Sequence, residues 1–138
     1  MYRPPGSRCS RIYRATCQLQ PLSIHGRATG VGSELALASD MRFASREKAI
    51  LSQWEIGAAL VPEGGPMARL PQLMGRGRPL EVLLTGNDIN DELAERYGYV
   101  NRALPDAEFD KFVDTMARRI ARFNKQSIAD SCARRRIC

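Results

Sequence analysis

The stretch Gly26–Glu55, GRATGVGSELALASDMRFASREKAILSQWE, decides how the rest of the chain is read. Gly26, Gly30 and Gly32 allow a tight turn, because a residue without a Cβ accepts positive φ and lets the main chain approach a ligand closely. An apolar segment follows at once and predicts a short helix over Gly32–Ala38, ended by Ser39 and Asp40. The first N–H groups of such a helix have no partner inside it, and its dipole is positive at the turn. An oxyanion or enolate oxygen placed there is stabilised. Glu34 lies near the helix start and Glu55 returns just after Gln53 and Trp54, so two carboxylates converge on one helix N-terminus. Read alone, Glu34 has a plainer account as an acid that complements the dipole.

Outward from this stretch, Leu22–Ile24 reads as the end of a strand feeding the turn, and Met41–Ser45 and Ala49–Gln53 as two further strands. Pro62, Gly64, Gly65 and Pro66 mark a loop that opens into a helix holding Met67, Leu70 and Leu73, with Gly75 at its end. Arg78–Leu84 predicts a compact apolar helix, and Asn87–Asn90 a loop and cap before a helix over Asp91–Tyr97 closed by Gly98. Tyr99–Leu104 predicts a short strand. Asp106 is expected to cap a long amphipathic helix, whose Phe109, Phe112, Val113, Met116, Ile120 and Phe123 recur at three and four residues as core or subunit interface. The helical signal fades by Asn124.

With 138 residues, 43% of them hydrophobic, the chain supports one modest domain, and no run approaches the roughly 18 apolar residues of a membrane span. The formal charge of +6 belongs to the ends: residues 1–33 carry five arginines and no acid, residues 131–138 carry three arginines, and the body between is slightly acidic. A nucleic-acid binder needs a basic face on the folded body, so neither nucleic acid nor membrane is expected as a partner. Cys9, Cys17, Cys132 and Cys138 form no CxxC pair and His25 is the sole histidine, so no metal site is expected. Reduced thiols suit a cytoplasmic location. The Arg-rich residues 1–24 read as a disordered or non-native leader, interrupted by Pro4 and Pro5; a mitochondrial transit peptide is the alternative. Residues 129–138 read as an unstructured basic tail. Ser33 beside His25 lacks the strand–elbow–helix setting of a nucleophilic serine, and His25 reads as incidental on the turn. Gly64 and Gly65 lack the lysine that a phosphate-binding loop requires.

Taken together, GRATGVGSELALASDMRFAS, QWEIGAALVPEGGPMARLPQLMGRGRPLEVLLTG and ELAERYGYVNRALP resemble the enoyl-CoA hydratase/isomerase (crotonase) superfamily in order and spacing, over about residues 24–128. The resemblance implies an α/β fold, a partial crotonase-like ββα spiral over 25–128 lacking its N-terminal repeats and followed by helices. It implies an acyl-CoA thioester substrate and stabilisation of the enolate formed at the thioester carbonyl. Residue by residue, Val31 would supply an oxyanion-hole N–H, Glu34 would activate the water that adds to the β-carbon, and Glu55 would exchange the proton at the α-carbon. Gly30, Trp54, Pro62, Gly64 and Gly65 would shape the substrate pocket. No cofactor is implied, coenzyme A being part of the substrate. The family's trimeric habit implies a homo-oligomer or association with crotonase-like chains. Both glutamates are present, which favours water addition to a 2-enoyl-CoA, a lyase reaction of fatty acid metabolism, over isomerisation. The alternative is a truncated, catalytically silent fragment that acts only as an assembly partner. Two residues depart from the family pattern: Trp54 stands where a proline precedes the second glutamate, and Glu63 stands in a loop of small residues.

Overall fold

A computed structural model describes residues 19–134, with side chains through Cys132. Most of the expected leader and the last four residues of the basic tail lie outside the described residues, as do Cys9, Cys17 and Cys138. The chain opens with β1 (Pro21–Ile24) and β2 (Arg27–Thr29), then α1 (Val31–Ala38), β3 (Met41–Ser45) and β4 (Ile50–Ser52). A single 3₁₀ turn, Glu55–Ala58, leads to α2 (Pro66–Met74) and α3 (Gly77–Thr85). The rest is β5 (Ile89–Asn90), α4 (Asp91–Tyr97), β6 (Arg102–Leu104), α5 (Asp106–Ala121) and α6 (Lys125–Arg134).

The pairing shows how the spiral is built. Although β1 and β2 are consecutive, they enter different sheets, one ordered β1-β3-β6 and the other β2-β4-β5. β3 lies parallel to β1, Pro21 facing Met41 and Ile24 facing Ala44, while β4 lies parallel to β2, Arg27 facing Ile50 and Thr29 facing Ser52. Each ββ unit thus adds one strand to each sheet, with α1 as the crossover between parallel neighbours. β6 continues the first sheet in parallel, and β5 closes the second in antiparallel sense. Ala36 and Leu37 of α1, Leu51 of β4, Leu70 of α2, Val82 of α3 and Ala94 of α4 meet in the core. These are small or branched apolar groups that fill the space between the sheets and the helices stacked on them.

A buried cation ties the first sheet to the segment after α4. Arg42 on β3 is 4% exposed, donates from Nε to the Tyr99 carbonyl at 2.8 Å and from Nη1 to the Ser39 carbonyl at 2.7 Å. Burial lowers its pKa from the ordinary guanidinium value. The backbone N–H of Arg42 bonds the Asn101 side chain, and the Asn101 N–H returns to the Arg42 carbonyl at 2.7 Å.

Several expectations are corrected. Residues 129–134, expected to be unstructured, belong to α6: the Asn124 side chain accepts from the Ser127 N–H at 3.0 Å and so caps that helix. Residues 21–24 belong to the domain as β1 rather than to a leader. The strand expected over Ala49–Gln53 is Ile50–Ser52, and that over Tyr99–Leu104 is Arg102–Leu104, because Gln53 and Tyr99 leave the ladders to bond each other inside the core. Asp106 opens α5 as its first residue, after Pro105.

Candidate functional site

Gly30 is the pivot. It is buried, with φ 52° and ψ −124°, a conformation costly for any residue with a Cβ. The Glu34 N–H bonds the Gly30 carbonyl at 2.9 Å and closes the first turn of α1. Val31, Gly32 and Ser33 therefore contribute the helix's first N–H groups, which have no carbonyl partner within it. The side chain of Val31 is 80% exposed.

Glu34 projects from this turn to the loop before α2. Its Oε1 accepts the Gly64 N–H at 2.8 Å. A Cβ on Gly64 would lie 1.8 Å from Glu34 Oε2, so only glycine lets the loop deliver its N–H to this carboxylate. Arg69 of α2 holds the loop from the other side, donating to the Gly64 carbonyl at 2.7 Å. Gly65, at φ 112°, caps α2 and leaves room for the Arg69 guanidinium, which a Cβ there would meet at 2.4 Å. Pro62 is buried beneath the loop and Glu63 is exposed.

Glu55 opens the 3₁₀ turn, which Ala59 closes in the left-handed region at φ 57°. Its Oε1 stands 3.3 Å from the point a Cβ on Gly30 would occupy, and the indole Nε1 of Trp54 stands 2.8 Å from the same point. Both glutamates thus gather about the Gly30 turn, Glu34 through the helix backbone and Glu55 through its side chain. Glu55 Oε2 is buried and has no hydrogen-bond partner among the described residues. Trp54 is 47% exposed.

Next to the two acids in the chain lies a buried polar cluster that no local sequence signal announces. Gln53, two residues before Glu55, donates from Nε2 to the hydroxyl of Ser33, the neighbour of Glu34, at 2.9 Å and to the Tyr99 hydroxyl at 3.1 Å. Ser33 and Tyr99 are also hydrogen-bonded to each other. All three side chains are fully buried. Burial raises the Tyr99 pKa, so the phenol keeps its proton, while the bonds to Ser33 and Gln53 act in the opposite direction. The cluster ties the first turn of α1 to the end of β4, and therefore sets the spacing of the two acids.

The expected residues thus come together: Gly30, Trp54 and Glu55 at one edge of the turn, Glu34, Gly64 and Gly65 at the other, with Val31 between. Gln53, Ser33, Tyr99 and Arg69 were not anticipated as supporting groups. Tyr99 is 66 residues from Ser33, and only tertiary structure brings them into contact. His25, expected to be incidental, is engaged with α5: Nε2 lies 3.1 Å from Asp110, Nδ1 3.7 Å from Asp106, and its ring meets Phe109 edge-on at 4.4 Å. Arg27, counted in the basic charge of residues 1–33, makes a two-pronged bond to Asp88 at 2.7 and 2.8 Å. A concavity of about 380 Å³ lies elsewhere, toward the far end of α1 beside Leu22, Leu35 and Ser39.

Chemically, the arrangement offers unpaired helix N–H groups for a developing oxyanion and two carboxylates on separate elements for proton transfer. A family model for enoyl-CoA hydratase/isomerase matches residues 17–133. A mitochondrial protein of Dictyostelium discoideum, named a probable enoyl-CoA hydratase, is 34% identical over 107 residues, which cover 78% of this chain and 38% of that protein. The structure of an enoyl-CoA hydratase candidate from Streptomyces avermitilis superposes with a TM-score of 0.86 at 47% identity, over 88% of this chain and 44% of that one. A second candidate, from Thermobifida fusca and solved in complex with acetoacetyl-CoA, superposes with a TM-score of 0.79 at 28% identity, over 83% of this chain and 45% of that one. The chain spans less than half the length of these relatives. On the extent of the family match and the agreement of fold, the chain belongs to the enoyl-CoA hydratase/isomerase family.

Proposed function

We propose that the chain acts on acyl-CoA thioesters by stabilising an enolate, and that its reaction is the addition of water to a 2-enoyl-CoA. The observation that carries this reading is the placement of Glu34 and Glu55 about the Gly30 turn at the N-terminus of α1. The thioester oxygen sits at the Val31 N–H, where partial positive charge offsets the negative charge that develops as the β-carbon is attacked. Glu34, fixed by the Gly64 N–H, takes a proton from water as its oxygen bonds to the β-carbon. Glu55 delivers a proton to the α-carbon as the enolate collapses. The two acids lie in different settings, one hydrogen-bonded to a backbone N–H and the other with a buried oxygen that has no partner among the described residues. Coenzyme A enters as part of the substrate and no separate cofactor takes part.

Hydration of crotonyl-CoA by the purified chain tests the proposal. Glu34→Gln and Glu55→Gln are each expected to lower turnover by about a hundredfold or more; turnover that neither change affects contradicts it. Assembly with another crotonase-like chain is a second role, favoured by the apolar side chains exposed next to the site: Val31, Trp54, Ile56, Leu60 and Val61. Absence of turnover together with tight binding to a full-length family member would select that role alone.

A further inference from the structure

The loop that holds Glu34 contains two consecutive glycines, Gly64 and Gly65, and glycine loses more conformational freedom on ordering than any other residue. A loop of that kind keeps an N–H on a carboxylate only if something else fixes its peptides. One residue, Arg69 of α2, takes the carbonyls of both glycines: its Nη1 donates to the Gly64 carbonyl at 2.7 Å and its backbone N–H to the Gly65 carbonyl at 3.0 Å. On the opposite side of Gly64, the N–H donates to Glu34 Oε1 at 2.8 Å. Gly64 is therefore gripped between a guanidinium and a carboxylate, and both bonds carry the added strength of an ionised partner. The two glycines serve the two charged groups separately. A Cβ on Gly64 would strike the Glu34 carboxylate, whereas one on Gly65 would stand 2.4 Å from Arg69 Nη1 and 3.1 Å from its Cζ. The guanidinium thus lies against the bare backbone of Gly65, and Arg69 is half-buried there.

We propose that Arg69 is a positioning residue for Glu34: by fixing the Gly64 carbonyl it keeps the Gly64 N–H on the carboxylate that takes the proton from water. The inference rests on the acyl-CoA reading above and adds to it the group that holds the base in place. Without the guanidinium the glycine pair regains its freedom, water competes for the Gly64 N–H, and Glu34 is in its working position for a smaller share of the time. Because the clamp acts on the base, its loss lowers kcat and leaves KM nearly unchanged.

The test is steady-state hydration of crotonyl-CoA by the full chain, together with amide exchange at Gly64 followed by nuclear magnetic resonance. Arg69→Met keeps an unbranched stem and removes the donors, and it is expected to lower kcat about tenfold with KM within about twofold. Added to Glu34→Gln, the same change is expected to alter kcat by less than about twofold, since Arg69 acts through that carboxylate. Arg69→Lys retains a charged donor and is expected to recover most of the lost turnover. An unchanged kcat in Arg69→Met, or an equal loss in the wild-type and Glu34→Gln backgrounds, overturns the inference and leaves the acyl-CoA reading standing. The Gly64 amide is expected to exchange at least about tenfold faster in Arg69→Met than in the wild-type chain. Equal exchange overturns the inference whether or not the wild-type chain turns over, whereas absence of wild-type turnover by itself overturns the hydration reading. Should Arg69→Met not fold, the wild-type chain decides: protection of the Gly64 amide is expected, and exchange at the rate of an unstructured glycine overturns the inference.

Discussion

Among the described residues Glu34 is held by a single backbone N–H, and that N–H is available only because residue 64 has no side chain. Gly64→Ala places a methyl carbon 1.8 Å from Glu34 Oε2, so the carboxylate or the loop must move by more than an ångström. Displacement on that scale costs on the order of a hundredfold in turnover. The expected result is a fall of that size in kcat on crotonyl-CoA, with Gly64→Ala/Glu34→Gln no slower than Glu34→Gln alone, because the two changes remove one function. Additive losses in the double variant would show that Gly64 serves the site by some other route. The two glutamates and the glycine turn that starts α1 were legible in the sequence because each is a local signal: glycines, a helix start, an acid within its first turn. The Gly64 contact was not, since thirty residues separate it from Glu34 and its glycine spacing announces only a loop.

At the scale of elements, two junctions hold the site's frame. The first is the Ser33, Gln53 and Tyr99 cluster, which joins α1, the end of β4 and the segment after α4. Tyr99→Phe removes one hydroxyl and leaves Ser33 and Gln53 bonded, so a loss of about 1–2 kcal/mol is expected, measured as a lower urea midpoint at unchanged slope. A neutral result would mean that water replaces the phenol. The second junction is Asp106 at the start of α5, which takes Lys48 and the Ser45 hydroxyl and faces His25. Lys48 first, then Ser45 and His25, hold the Asp106 pKa below its ordinary value against the opposing effect of burial. A depressed folded-state pKa adds stability that is present above the ordinary aspartate range and lost as pH falls through the lower folded value. Lys48→Ala is therefore expected to lower the melting temperature near neutral pH, with the gap to wild type closing as pH falls below the ordinary aspartate range; a gap that is constant with pH contradicts the pairing. Elements with strong periodicity were readable: α4 runs over the expected Asp91–Tyr97, and α5 carries Phe109, Phe112, Val113 and Met116 on its covered face. α6 was not readable, because its polar composition hides the period and the Asn124 cap falls where the stripe of α5 gives out.

For the whole molecule, the decisive feature is exposed apolar side chains in and near the candidate site. Val31 is 80% exposed, Leu60 56% and Val61 58%, with Trp54 and Ile56 close by in sequence. β1 and β2 are also edge strands, each with a single neighbour among the described residues, so each presents unpaired backbone groups along one side. Isolated exposed apolar residues are ordinary, but Trp54, Ile56, Leu60 and Val61 all fall within residues 54–61, and an exposed apolar segment favours association. The spiral grows by adding one strand to each sheet per repeat, so a second chain of the same fold can continue both sheets at β1 and β2 without altering either register. The chain is expected to sediment as an oligomer or aggregate when purified alone, and to form a defined complex when co-expressed with a full-length family member. Leu60→Glu/Val61→Glu is expected to weaken that complex at least tenfold while leaving the far-ultraviolet circular dichroism of the chain unchanged, because both side chains are outside the core. A monodisperse monomer that melts cooperatively and ignores the family member would show that these surfaces are satisfied within one chain.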